Sequence, residues 1–169
     1  MLTQFLGRLL TLDTVINFVF CAAMAWLLRK RIAEVSGAPR WLSSLAGLSL
    51  SLVLAFTVRI FNTFTFGAGY WLFSSMWLGA FNLANPNWLL NFGLFVPAGL
   101  VIRLVGVRSL RTVLFLGLLS FGIECLQFWA GSGVADPADL VANICGASIG
   151  VAVAFLVRRI FPQLRALVD

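Results

Sequence analysis

Residues 111–157 read RTVLFLGLLSFGIECLQFWAGSGVADPADLVANICGASIGVAVAFLV. Two apolar runs flank a short segment rich in Gly, Asp and Pro. Each run is about 20 residues long, enough for a helix to cross the hydrocarbon core of a bilayer. The pattern is that of a helical hairpin in a membrane. Ser120, Glu124 and Gln127 interrupt the first run, and Asp136, Asp139 and Asn143 open the second. Ionisable groups inside spanning segments are costly, so each needs a partner or a task.

The rest of the chain agrees with this reading. Over 169 residues, 61% are hydrophobic, 11% are charged and the mean hydropathy is +1.00. An ordinary soluble domain does not have that balance. The sequence predicts an all-α integral membrane bundle, a single transmembrane domain over residues 1–169. Five helices are expected, over about 9–28, 41–61, 87–105, 111–130 and 137–157. The N-terminus lacks the charged start and small-residue cleavage site of a secretory signal, so the first span is expected to be retained. The net charge of +6 does not point to nucleic acid, because the basic residues flank apolar segments and form no aromatic-laced patch. Cys21, Cys125 and Cys145 lie in apolar segments and form no CxxC pair, and the chain has no His. They read as small buried hydrophobes, with no metal site or cofactor expected. Without His there is no Ser–His dyad, so Gly131-Ser132-Gly133 reads as a flexible turn rather than a protease nucleophile.

Charge sets the expected orientation. Arg29-Lys30-Arg31 and Arg40, then Arg103, Arg108 and Arg111, then Arg158, Arg159 and Arg165 all fall on one side of the membrane. These are ten of the twelve basic residues, and only Arg8 and Arg59 fall opposite. The positive-inside rule then puts the N-terminus out and the C-terminus in the cytoplasm of a multi-pass plasma-membrane protein. The acids are biased the other way. Asp13, Glu124, Asp136 and Asp139 lie toward the outer side, and only Glu34 and Asp169 lie inside. Acids contribute little to topology, so this bias needs another cause.

Ser120, Glu124 and Gln127 follow i, i+4, i+7 and share one helix face, as do Asp139, Asn143, Gly146 and Gly150. With the hairpin turn centred near Gly133, Glu124 should lie level with Asn143, and Gln127 close to Asp139. The carboxylates and amides would then converge in the outer leaflet. Part of the set has a purely structural explanation. Asp136 suits an N-cap, Pro137 the first helical position and Asp139 the third position of a capping box. Ala142, Gly146 and Gly150 follow the small-xxx-small spacing of closely packed membrane helices. Glu124, flanked by Ile123 and Cys125, has no capping explanation.

Earlier elements add to this end of the molecule. Asp13 and Asn17 are spaced i, i+4 in the first helix. Asn85-Pro86 looks like a second cap and start, Asn91 follows, and Pro97 should kink the third helix. Residues 62–86 form a long outer connection with Phe64, Phe66, Tyr70, Trp71, Phe73, Trp77 and Phe81. They are expected to lie along the interface as an anchoring belt, or as a lid over an outer-leaflet site.

Asn91-x3-Phe95-x-Pro97-x-Gly99, Ser120-x3-Glu124-x2-Gln127 and Asp136-x2-Asp139-x3-Asn143-x2-Gly146-x3-Gly150, taken together in this order, resemble the VanZ-like membrane protein family over about residues 87–152. The resemblance implies a small bacterial membrane protein with a role in the cell envelope. The family takes its name from a protein linked to resistance against teicoplanin-type glycopeptide antibiotics. Its members commonly carry an Arg shortly before the first Asp of the last block, where this chain has Gly133. That departure counts against a bidentate grip on a phosphate. Arg59, near the outer end of the second helix, is expected to compensate by pairing with Asp139 or Glu124.

The site expected from the sequence is therefore a polar pocket of Asn91, Ser120, Glu124, Gln127, Asp136, Asp139 and Asn143, with Arg59. Its expected partner is a membrane lipid headgroup, a lipid-linked cell-wall intermediate or an amphiphilic glycopeptide antibiotic. An enzyme acting on a lipid substrate through Glu124 and Asp139 is the alternative. The sequence leans away from it, since no nucleophile is recognisable. A proton- or ion-coupled transporter, or a small subunit of a larger membrane complex, is a third reading, and an oligomer or larger assembly is left open.

Overall fold

The computed structural model describes residues 11–57, 85–130 and 136–161, apart from the side chains of Asp13 and Ala130. Among them 91% are helical and none is in a strand. The five helices are α1 (Leu12–Ser36), α2 (Arg40–Thr57), α3 (Pro86–Leu104), α4 (Ser109–Ala130) and α5 (Pro137–Ile160). Four of them, α2 to α5, are long and apolar enough to cross a membrane. The all-helical membrane class expected from the sequence holds. α1 differs from expectation, because it runs eight residues past the expected end at 28. Arg29, Lys30, Arg31 and Glu34 continue the helix rather than ending it. Charged straight-chain residues are good helix formers, and the stop comes only at Gly37, whose φ of 70° is left-handed. The expected turn at 131–133, the loop at 62–84 and Arg59 lie outside the described residues.

Helix starts follow their capping residues. The Thr11 hydroxyl accepts from the Thr14 N–H at 3.4 Å, Asn85 accepts from Asn87 at 3.0 Å, and Asp136 accepts from Ala138 at 2.9 Å. Pro86 and Pro137 occupy first helical positions, where the missing N–H costs nothing. α3 stays helical through Pro97. Short connections, residues 37–39 and 105–108, join α1 to α2 and α3 to α4 at one end of the bundle. Arg158 of α5 reaches that same end and donates to the Leu104 carbonyl at 2.9 Å, closing the α3 C-terminus. All nine basic residues of the described segments gather there, while Glu124, Asp136 and Asp139 lie at the opposite end.

The closest packing is between α3 and α5. A Cβ on Gly150 would overlap the Val96 carbonyl oxygen and the Leu100 nitrogen, one on Gly146 the Phe92 oxygen, and one on Gly99 the Ala147 oxygen. The two backbones thus touch directly across the seam. Phe95 and Ala142, both fully buried, fill the remaining space. The small-xxx-small reading of Ala142, Gly146 and Gly150 is the packing observed. A second close approach brings Gly47 of α2 against the Ala25 Cβ of α1. Here Ser43 and Ser51 are buried, and their hydroxyls donate to carbonyls four residues back, Pro39 just before the helix and Gly47 within it, at 3.4 and 2.8 Å. A small polar side chain satisfied within its helix adds little bulk to the contact. Outward, α1 presents Val19, Phe20, Leu27 and Leu28, and α4 presents Leu114, Leu118 and Phe121, all exposed, as lipid-facing surfaces require.

These contacts separate two kinds of glycine. Gly150→Leu should destabilise the folded protein by at least about 1–3 kcal/mol, because backbone on the far side cannot give way. Gly122→Ala, where an added Cβ meets nothing within 4 Å, should be neutral or stabilising by up to about 1 kcal/mol. Thermal unfolding in detergent, followed by circular dichroism, separates them.

Candidate functional site

The polar residues of α4 and α5 meet in two layers. Asn143, 2% exposed, donates its amide to the Ser120 hydroxyl at 2.8 Å. Glu124, 3% exposed, accepts at 2.8 Å from the backbone N–H of Asp136, where α5 begins. In a capping box, the carboxylate at the third helical position would reach back to that N–H. Here Asp139 holds the third position, yet the cap is completed by Glu124 from the neighbouring helix. Asp139 instead faces the side chain of Asn91 on α3. Exchanging an intrahelical cap for an interhelical one ties three helices together at their polar end.

The register differs from the one expected. Asn143 pairs with Ser120, one turn deeper than Glu124, and Glu124 meets the first residue of the second arm. Helical side chains lean toward the helix N-terminus, which for α4 is away from the hairpin turn. The start of α5 therefore sits near the Glu124 level, and α4 continues past it by more than one turn, about six residues. A turn-centred count assumes arms of equal reach, and these arms are unequal. Gln127 departs for the same reason. It lies above the start of α5, and its amide donates to the Thr57 carbonyl at the end of α2, at 2.9 Å, rather than approaching Asp139. That carbonyl is one of the acceptors a helix C-terminus leaves over.

Of the expected pocket residues, Asn91, Ser120, Glu124, Asp136, Asp139 and Asn143 come together between α3, α4 and α5, whereas Gln127, also on α4, turns away to α2. Arg59 and Gly133 lie outside the described residues. Asn17 is fully buried in α1. The three carboxyl groups of this end are close enough for Asp136 and Asp139 to act electrostatically on Glu124. Asn143 keeps a buried carbonyl oxygen, Oδ1, with no hydrogen-bond partner. Among the described residues, no group of three or more His, Cys, Asp or Glu side chains is arranged to hold a metal ion. The three cysteines are half-buried free thiols rather than fully buried ones. Sequence reasoning missed Thr57, because a backbone carbonyl leaves no mark in a side-chain pattern.

The Glu124 contact gives a sharp expectation. Glu124→Gln keeps an oxygen that can accept from Asp136 and should stay within about 1 kcal/mol of wild type. Glu124→Ala leaves that N–H without its acceptor and should cost about 1–3 kcal/mol. Ser120→Ala, which strands the Asn143 amide, should cost a similar amount. Thermal stability in detergent measures all three, and equal losses for Gln and Ala at position 124 would rule out the accepting role.

Neither a curated protein nor a solved structure matches this chain. The sequence model of the VanZ/LLP1 family does, over residues 4–158. The match extends well beyond the three polar blocks, into the first two helices, where no motif stands out by eye. With four helices apolar enough to span, and the family's pattern running through nearly the whole chain, this is a multi-pass membrane protein that belongs to the VanZ/LLP1 family.

Proposed function

We propose that this protein works in the bacterial cell envelope, binding the polar head of an amphiphile in the pocket at the Glu124 end. In this reading that end faces the outer leaflet of the plasma membrane, α1 is a fifth span, the N-terminus is outside and the C-terminus is cytoplasmic. The observation that carries the proposal is the chemical one-sidedness of the pocket. Glu124, Asp136 and Asp139 gather one layer above Asn143, whose buried oxygen is unsatisfied, while every basic residue of the described segments lies at the other end. A buried acceptor without a donor is rare enough to need a reason.

Such a pocket favours ligands that bring hydrogen-bond donors, hydroxyl or amino groups, over a bare phosphate, which three carboxyl groups would repel. Amino- or sugar-bearing lipid headgroups, lipid-linked cell-wall intermediates and amphiphilic glycopeptides share that chemistry. Binding a glycopeptide or its cell-wall target would give the family's link to antibiotic resistance a physical basis. The engagement of Glu124 with the Asp136 N–H weighs for binding over acid–base catalysis, since a catalytic carboxyl must be free to exchange a proton with substrate.

Purified protein in detergent should bind teicoplanin or phosphatidylethanolamine saturably. Asp139→Asn should weaken that binding about tenfold, the worth of one charged hydrogen bond, with thermal stability unchanged. Absence of saturable binding to both probes, or binding indifferent to Asp139→Asn, would overturn the proposal. Orientation has its own check. A C-terminal green fluorescent protein fusion should fluoresce and a C-terminal alkaline phosphatase fusion should be inactive, as expected for a cytoplasmic end.

A further inference from the structure

A second cavity lies at the basic end, far from the acidic pocket. About 340 Å³ of space opens between the two helical hairpins, walled by Ile32 of α1, Ala46 and Leu50 of α2, Ile102 of α3 and Phe115 of α4. Arg111 of α4 supplies the charged part of the wall. An enclosed apolar cavity of about 150 Å³ accepts benzene, so this one has room for a stretch of hydrocarbon chain. The lining has one charged group and is otherwise apolar, which describes a site for an amphiphile rather than for water or a polar metabolite.

The charges specify which amphiphile. Arg103 is engaged with Ser109 and the Val107 carbonyl, Arg29 with the Trp26 ring and carbonyl, and Arg158 with Leu104. Arg111 has no hydrogen bond or ion pair with any described residue, and its side chain is exposed. Together with it, eight other basic residues of the described segments share this end with a single acid, Glu34. Basic pockets between membrane helices attract anionic headgroups, each basic group near the surface contributing about fivefold in affinity.

We propose that this cleft holds one acyl chain of an anionic phospholipid, with the lipid phosphate at Arg111. The site is independent of the acidic pocket, and a lipid there would fill the gap between the α1–α2 hairpin and the rest of the bundle. Bound lipid would therefore stabilise the contact between the two halves.

Delipidated protein in a mild detergent, titrated with phosphatidylglycerol or phosphatidylcholine and followed by native mass spectrometry, tests this. Wild type should bind phosphatidylglycerol about fivefold more tightly, and Arg111→Gln should bring the two lipids to near equality. Arg159→Gln, at the far end of α5 and outside the cleft, should leave the preference intact, as should Asp139→Asn in the acidic pocket. Leu50→Trp, which fills the cleft, should weaken both lipids. If that variant fails to fold, Phe115→Ala on the exposed rim should weaken both as well. Equal binding of the two lipids to wild type would overturn the proposal. So would an Arg159→Gln loss matching that of Arg111→Gln, which would mean diffuse surface charge, or chain binding indifferent to the cleft variants.

Discussion

The direct backbone contact between α3 and α5 is the constraint on which the rest of this structure depends. In lipid, apolar side chains gain little by leaving the tails for one another, so helix association rests on close packing. Gly99, Gly146 and Gly150 provide it by presenting bare backbone at the three points of closest approach. Once the two backbones touch, the rotation and depth of α5 relative to α3 are fixed. That is what brings Asp139 to Asn91 and turns Asn143 toward α4.

The polar end is best understood as three helices sharing one capping problem. α5 starts beside Glu124, partly buried, and its first N–H groups find acceptors on side chains. Asp136 satisfies one of them, and Glu124 satisfies the N–H of Asp136 itself. This accounts for a carboxyl group buried in an apolar helix without assigning it a reaction. It also frees Asp139 to face α3. A structural demand on Glu124 and a binding role for its neighbours are thus compatible, because different members of the cluster carry them.

The two ends of the bundle are chemically opposed. One has three carboxyl groups and an unsatisfied amide oxygen, and the other has nine basic residues around an apolar cleft. Glu34 apart, the charged side chains of the described residues are thus sorted by sign along the helix axes. This sorting follows from helix direction alone, since antiparallel neighbours joined by short turns must bring the Arg-rich connections to the same side.

The helical membrane class, the helix caps at Asn85 and Asp136 and the glycine seam were all legible in the sequence. Each depends on local spacing or on composition, which a chain carries regardless of its partners. Family membership was legible for a related reason, as an ordered set of polar residues in apolar surroundings. α1 outruns its apolar stretch because charge does not stop a helix, and only the left-handed glycine at position 37 ends it. The partners of the polar residues were decided by tertiary structure. Ser120 rather than Glu124 meets Asn143, and Gln127 meets a carbonyl of α2, because the hairpin arms differ in reach by more than a turn. That offset is set by where α3 grips α5, an interaction between residues some fifty positions apart that no pattern within one helix can report.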